Sequence, residues 1–150
     1  MRAIVQRVME SSVKIDGEVV GEIGKGVMIL LGIEDLDGRE DVEWLVRKIV
    51  HMRIFEDEAG KMNCSLLEKG GEALIVSQFT LHASTKKGNR PSFTKAAHPE
   101  KSEPLYHDFI REFNEIVKKP SAAGRFGADM KVSLINDGPV TIMIDSKLKE

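Results

Sequence analysis

The chain has 150 residues, 41% of them hydrophobic and 31% charged, and its 22 Lys and Arg against 24 Asp and Glu leave a formal net charge of −2. A chain of this size is expected to form one domain, residues 1–150, that buries roughly 70% of the surface its unfolded form exposes and needs no staple. No run of about 18 apolar residues could span a bilayer, and the balanced charge alone argues against nucleic acid as a partner.

"MRAIVQRV", residues 1–8, sets charges inside an apolar stretch and has no small-residue cleavage site. It does not read as a signal peptide, which places the protein in the cytoplasm. Residues 2–8 and 11–15 are predicted strands. Asp16-Gly17 then supplies the positive-φ pair of a tight type I′ hairpin before "EVVGEIG". "VMILLGI", residues 27–33, is a continuous apolar run and predicts a strand buried on both faces. A helix follows, capped by Asp37 with Glu40 three positions on; Val42, Leu45, Val46 and Ile49 share one face, with Trp44 at its edge. Residues 52–57 return to strand character, and 58–60 form a turn. "EALIVSQFTL", residues 72–81, gives the strongest strand signal in the chain. The spacing predicts a second helix from about Ser102, with Pro104 in its first turn and Leu105, Phe109, Ile110, Phe113, Ile116 and Val117 facing inward. Lys118 and Lys119 suit its C-terminal end and Pro120 stops it. Two last strands, 130–136 and 140–145, flank Gly138-Pro139. The pattern is α+β: largely antiparallel β layers or a barrel, with two main helices covering one face.

The four histidines lack zinc-site spacings and Cys64 stands alone, so the residues imply no metal, no cofactor and no internal disulfide, which fits a reducing compartment. No nucleophile elbow or Walker loop is present, and Gly21, Gly24 and Gly26 precede no helix directly. Glu56, Asp57 and Glu58 read as a solvated turn. Ser77 and His82, five apart on a strand, would point to opposite faces and make no Ser-His pair. Three stretches carry more. "ALIV" runs directly into Ser77, Gln78 and Thr80, whose hydrogen-bonding groups at the end of a buried element serve either core bonds or a ligand. Pro139 cannot donate to a ladder, so it marks a strand start, an edge or a bulge, or else Gly138-Pro139 is an ordinary turn. Residues 84–101 carry Lys86, Lys87, Arg90, Lys95 and Lys101 against Glu100 alone, a solvated loop or an anion-facing one.

Taken together, "MRAIVQRV", "DGEVVGEIGKG", "RIFEDEAGKMN", "SQFTLHAS", "KGNRPSF", "GRFGADM" and "VSLINDGPVT" resemble the D-aminoacyl-tRNA deacylases from Met1 to about Asp145. The resemblance implies a homodimeric ester hydrolase that frees a D-amino acid, and some glycine, from the 3′ end of tRNA and rejects the L form. It implies that Ser77, Gln78, Phe79 and Thr80 line the catalytic pocket. It further implies a cis Gly138-Pro139 bond whose pair of carbonyls enters the partner's pocket, with Arg7 bracing that pair and Met130 lining the pocket. Thr80 has no evident base beside it, so activation by the ribose 2′-hydroxyl is expected instead. Ser84 and Ser102 depart from the family pattern, where aspartate and alanine are frequent, and Ser102 bears on how the rim grips the adenosine. A non-catalytic RNA-binding module is the first rival; a relative acting on L-alanine mischarged onto tRNA is the second.

Overall fold

A computed structural model describes residues Met1–Glu150. The elements run β1 (Arg2–Ile15), β2 (Glu18–Ile23), β3 (Gly26–Gly32), α1 (Arg39–His51), β4 (Phe55–Glu56), β5 (Met62–Cys64), α2 (Leu66–Lys69), β6 (Glu72–Ser77), a 3₁₀ turn (Phe79–His82), α3 (Pro99–Val117), β7 (Ala122–Ala123) and β8 (Lys131–Asp145). The chain is α+β, as the pattern predicts, with helices on one face of a mixed sheet. No helix is long and apolar enough to cross a membrane.

β1 organises the sheet. Its first half pairs antiparallel with β3, its second half with β2, and its other edge with β8 along nearly its whole length. The two predicted strands at 2–8 and 11–15 are therefore one, interrupted by register shifts against β8 around Val8 and against β2 at Val13/Lys14. Asp16 (φ 50°) and Gly17 (φ 81°) make the predicted turn, both in the left-handed region that type I′ requires. Beyond β3 the sheet turns parallel, in the order β3, β6, β7. β2 then curls round to β7: a Cβ on Gly21 would stand 2.6 Å from the Ala123 carbonyl, so glycine lets the two edges meet and nearly close a barrel.

Alternation along the strands divides the core in two. Ala3, Val5, Val27, Ile29, Leu31 and Ile75 face α1 and α3, meeting Leu45, Ile49, Phe109 and Phe113. Val8, Val13, Ile23, Met28, Leu74 and Val76 fill the barrel. β3 contributes to both clusters, as its unbroken apolar run requires.

Four local predictions are corrected. The N-cap of α1 is Gly38, whose N–H donates to the Asp41 carboxylate (2.9 Å). Asp37 instead accepts from the Met1 ammonium (2.5 Å) and the Glu34 N–H (2.8 Å). Only Phe55–Glu56 of the predicted 52–57 strand forms a ladder, and α2, opened by a reciprocal Ser65–Glu68 capping box, was not predicted. α3 starts at Pro99, so Pro104 falls in its second turn, on the exposed side where water can serve the carbonyl it leaves free. The residues at 130–136 and 140–145 belong to a single β8 that runs through Gly138-Pro139.

Candidate active site

β6 pairs with β3 as far as Leu31↔Ser77, and there the ladder stops. The Gln78 N–H still donates to the Leu31 carbonyl (2.7 Å), but its backbone (φ −146°, ψ 80°) leaves the strand and Phe79–His82 coil into a 3₁₀ turn. The expected strand over 72–81 is thus cut at Ser77. Gly32 is one reason: a Cβ there would meet the Gln78 carbonyl and Leu81 Cβ, each at 2.9 Å, so the turn packs straight onto strand backbone. The turn presents Gln78, Phe79 and Thr80 outward, with Gln78 Nε2 donating to Thr80 Oγ1 (2.5 Å) and Phe79 56% exposed. No side chain able to act as a base is hydrogen-bonded to Thr80. His82 turns inward instead, buried with neither ring nitrogen hydrogen-bonded, so Ser77 and His82 form no pair.

Phe79 meets the edge of Phe93 at 5.2 Å between ring centroids. Between them Ser84 and Ser92 exchange backbone hydrogen bonds (2.8 and 2.9 Å) and pinch off a loop that holds Lys86, Lys87 and Arg90 in solvent. The basic segment therefore hangs directly from the turn. Lys101 does not share in it; it lies in α3 and donates to the Asp35 carbonyl. Ser102 is buried and satisfied within its own helix entry, donating to the His98 carbonyl (3.0 Å).

The other half of the candidate site is in β8. Val8 pairs with Asn136 and Gln6 with Thr141, so residues 137–140 stand opposite Arg7 alone. Gly138-Pro139 thus sits in a bulge, one of the three places open to a proline. The Gly138–Pro139 peptide bond is cis, and Gly138 has φ 127°, a backbone closed to other residues; a Cβ there would also approach Val140 Cγ2 to 2.8 Å. The bulge is tied on both sides. Asn136 accepts from the Val140 N–H (3.0 Å) and donates to Thr141 Oγ1 (2.8 Å), which closes the loop from within. Arg7, 6% exposed, donates through Nη1 to the Ile54 carbonyl (2.7 Å) and turns Nε to Asp137, 3.3 Å from its carbonyl and 3.2 Å from Oδ2. The guanidinium fork thereby fixes the bulge to the segment after α1.

Asn136, Asp137 and Thr141 were not singled out from the sequence, though they stand in "NDGPVT"; their roles need the register of β8 on β1 to be visible. Met130 packs half-buried against the barrel cluster, its sulfur against Gly124. The two halves do not meet within one chain. Ser77 is level with Leu31 and Ala3, whereas Gly138 lies opposite Arg7, four residues along β1 and three strands away. At ~3.3 Å per residue and ~4.8 Å per strand the separation is on the order of 20 Å.

The Ser77 end of the sheet rests on charged groups. Arg2 donates to Asp145 Oδ2 (2.8 Å) and to the Leu81 carbonyl (3.0 Å), holding the 3₁₀ turn from below. Beside it Ser146 Oγ and Lys147 Nζ donate to Asp41 (2.6 and 2.8 Å). Burial pushes the Asp41 carboxyl up, but the bonds from Lys147, Ser146 and Gly38 outweigh it and hold the group at about 2.

A family model described as D-Tyr-tRNA(Tyr) deacylase matches residues 4–145. Proteins described as D-aminoacyl-tRNA deacylase from Bacteroides thetaiotaomicron and Chromobacterium violaceum are 60% and 58% identical over 150 residues, the whole of each chain. Among solved structures, one described as c-Myc DNA unwinding element binding protein superposes with a TM-score of 0.91 at 42% identity, covering 97% of this chain and 98% of that one. A second, a probable eukaryotic D-amino acid tRNA deacylase, gives a TM-score of 0.83 at 20% identity over 95% and 97% of the two chains, a likeness of fold.

Proposed function

This chain belongs to the D-Tyr-tRNA(Tyr) deacylase family, and from that premise we propose that it hydrolyses the ester joining a D-amino acid, or glycine, to the 3′ end of tRNA in the cytoplasm. The observation that carries the reading is the bulge at Gly138-Pro139, anchored by Arg7 yet roughly 20 Å from the Ser77–Thr80 turn of its own chain. Such a device serves a second copy. The protein is a homodimer in which each bulge enters the partner's pocket, and there the Gly138 and Pro139 carbonyls receive the substrate ammonium.

Chirality then follows from geometry. The ester fixes one direction from the α-carbon and the ammonium a second, so the side chain of the D form points to solvent and that of the L form strikes the carbonyls. A 10⁴-fold rejection needs about 5.5 kcal/mol, within reach of a clash plus a lost charge-assisted hydrogen bond. Glycine has nothing to clash and passes. Met130 lines the pocket wall, and Lys86, Lys87 and Arg90 meet RNA phosphates whatever the sequence.

The aminoacyl ester is intrinsically reactive, so positioning and oxyanion stabilisation supply the rate, with the Phe79 backbone and Thr80 orienting the terminal adenosine. The vicinal 2′-hydroxyl activates the attacking water. Thr80→Ala therefore keeps deacylation within about threefold, whereas a substrate ending in 2′-deoxyadenosine is not turned over; the reverse pair of results makes Thr80 the nucleophile.

A non-catalytic nucleic-acid-binding role is the competing reading, favoured by the basic loop and by the description of the 42% identical structure. Incubation with D-tyrosyl-, L-tyrosyl- and L-alanyl-tRNA decides among the readings. Release of D-tyrosine alone is the expected result; release of no amino acid overturns the enzyme, and preference for L-alanine assigns the other substrate class.

A further inference from the structure

Outside the two half-sites, a charged cleft of about 590 Å³ runs along the outer side of α1. Its floor is Trp44, the chain's one tryptophan. Lys48 Nζ and Lys149 Nζ stand 5.6 and 5.0 Å from the indole centroid, and Arg47, His51 and Arg53 complete the wall. None of Arg47, Lys48, Arg53 and Lys149 has a carboxylate within 4.0 Å. The two acidic wall residues lie toward the start of α1, and one of them, Glu43, is already paired with Arg39 at 2.8 Å. Four cations without a salt-bridge partner, set against the one unpaired carboxylate of Glu40 in a cleft of a chain with net charge −2, suit an extended polyanion.

The cleft also has an address. α1 spans about 20 Å, and its basic end runs through Arg53 to Ile54, whose carbonyl takes the Arg7 Nη1 bond; Arg7 in turn holds Asp137, next to Gly138. The basic end of the cleft is therefore linked to the bulge through Ile54 and Arg7. On the homodimer reading above, that bulge lies in the partner's pocket, next to the 3′ end of the bound RNA. We propose that this α1 cleft binds the phosphate backbone of the tRNA acceptor arm whose 3′ end occupies the partner subunit, so that each tRNA is held by both protomers. The cations supply sequence-independent contacts, which suits a substrate defined by its terminal amino acid.

Arg47→Glu combined with Lys48→Glu tests this, with full-length D-tyrosyl-tRNA and the D-tyrosyl ester of the trinucleotide CCA as substrates. Expected are a roughly tenfold rise in KM for the full tRNA with kcat unchanged, no change for the trinucleotide, and a salt dependence shallower by about two phosphate contacts. Trp44 fluorescence in the wild type responds to uncharged tRNA and not to CCA. An unchanged KM for full tRNA, or fluorescence that ignores saturating tRNA, overturns the proposal. Mixed dimers separate the protomers: a subunit with residues 77–80 replaced by alanine is paired with the doubly substituted one, so the live turn faces an intact partner cleft. Wild-type KM supports binding across the dimer, and a raised KM overturns it. Were the wild type to deacylate neither substrate, the enzyme reading would fail, while the Trp44 titration would still decide whether the cleft holds RNA.

Discussion

Two arginines leave β1 five residues apart and hold opposite halves of the candidate site. Arg7 is buried, reaches two chain segments at once, and secures a bulge that Asn136 has already closed from within. Arg2 is 35% exposed along its side chain, pairs with Asp145 and donates to the Leu81 carbonyl, beneath a turn whose own side chains share a single hydrogen bond from Gln78 to Thr80. One half is built rigid before any substrate arrives; the other is a platform left open. The contrast suits the two tasks proposed above. Discrimination by steric exclusion works only if the excluding atoms cannot yield, whereas a pocket that admits many side chains needs only its ester end fixed.

Removing the tighter brace has the largest expected effect. Arg7→Ala frees Asp137 and the Ile54 carbonyl, and the bulge shifts; kcat/KM for D-tyrosyl-tRNA falls about a hundredfold and the D-over-L ratio falls with it. Arg7→Lys restores little, because one ammonium cannot span both segments as the fork does. Steady-state kinetics on both enantiomers check this. An Arg7→Ala enzyme with intact chiral selection would break the contrast, since the rigid half would then not depend on its brace.

The other end of β1 rests on Asp41. Its carboxyl is held at about 2 against an ordinary value of 3.8, so the unfolded chain binds the proton more readily. The resulting stability, on the order of 1 kcal/mol once solvent screening is allowed for, is present above pH 4 and is lost as pH falls through about 2. Burial pushes Asp145 up, but bonds from Arg2 and the Lys147 N–H bring it below its ordinary value, so it adds in the same direction. Urea unfolding between pH 7 and pH 2 should show that loss in the wild type and a flatter profile in Asp41→Asn, with chiral selection unchanged at neutral pH.

Arg2→Ala should cost less, about tenfold in kcat/KM, and leave the D-over-L ratio intact. The same two kinetic assays distinguish it from Arg7→Ala. Loss of selectivity here would mean that the platform also takes part in choosing the enantiomer.

How far the sequence reached follows from which partners were local. Asp16-Gly17 dictates its own φ angles and was legible, as was the apolar run of β3 that needs cover on both faces. The Ser65–Glu68 box is equally local, a serine with glutamate three positions on. The end of β6 was not legible: "FTL" continues an apolar strand, and only the approach of Gly32 turns it aside. The unity of β8 was hidden as well, because Gly-Pro reads as a break until β1 is seen to pair on both sides of it. The site residues came from resemblance to a family. The chemistry that anchors them, an arginine on a carbonyl 47 residues away and an asparagine closing its own bulge, exists only after folding.

The smallest expected effect concerns Tyr106, which the helical spacing did not place inward. It lies on the buried face of α3 and donates to the Ile75 carbonyl (2.8 Å), and burial pushes its phenol up to about 12, so it stays a donor through the usable pH range. Ile75 also accepts the Gly124 N–H (3.2 Å) and is laddered to Ile29 and Ala123. Tyr106→Phe therefore leaves the carbonyl one partner and the strand both neighbours, at a cost of about 1 kcal/mol in urea unfolding. Activity should stay within about twofold, because Ser77 and its turn are carried by β3 and Arg2 and not by the helix. A tenfold loss would show that α3 governs the platform through β6, and the open half would then be braced from the helical layer as firmly as the bulge is from β1.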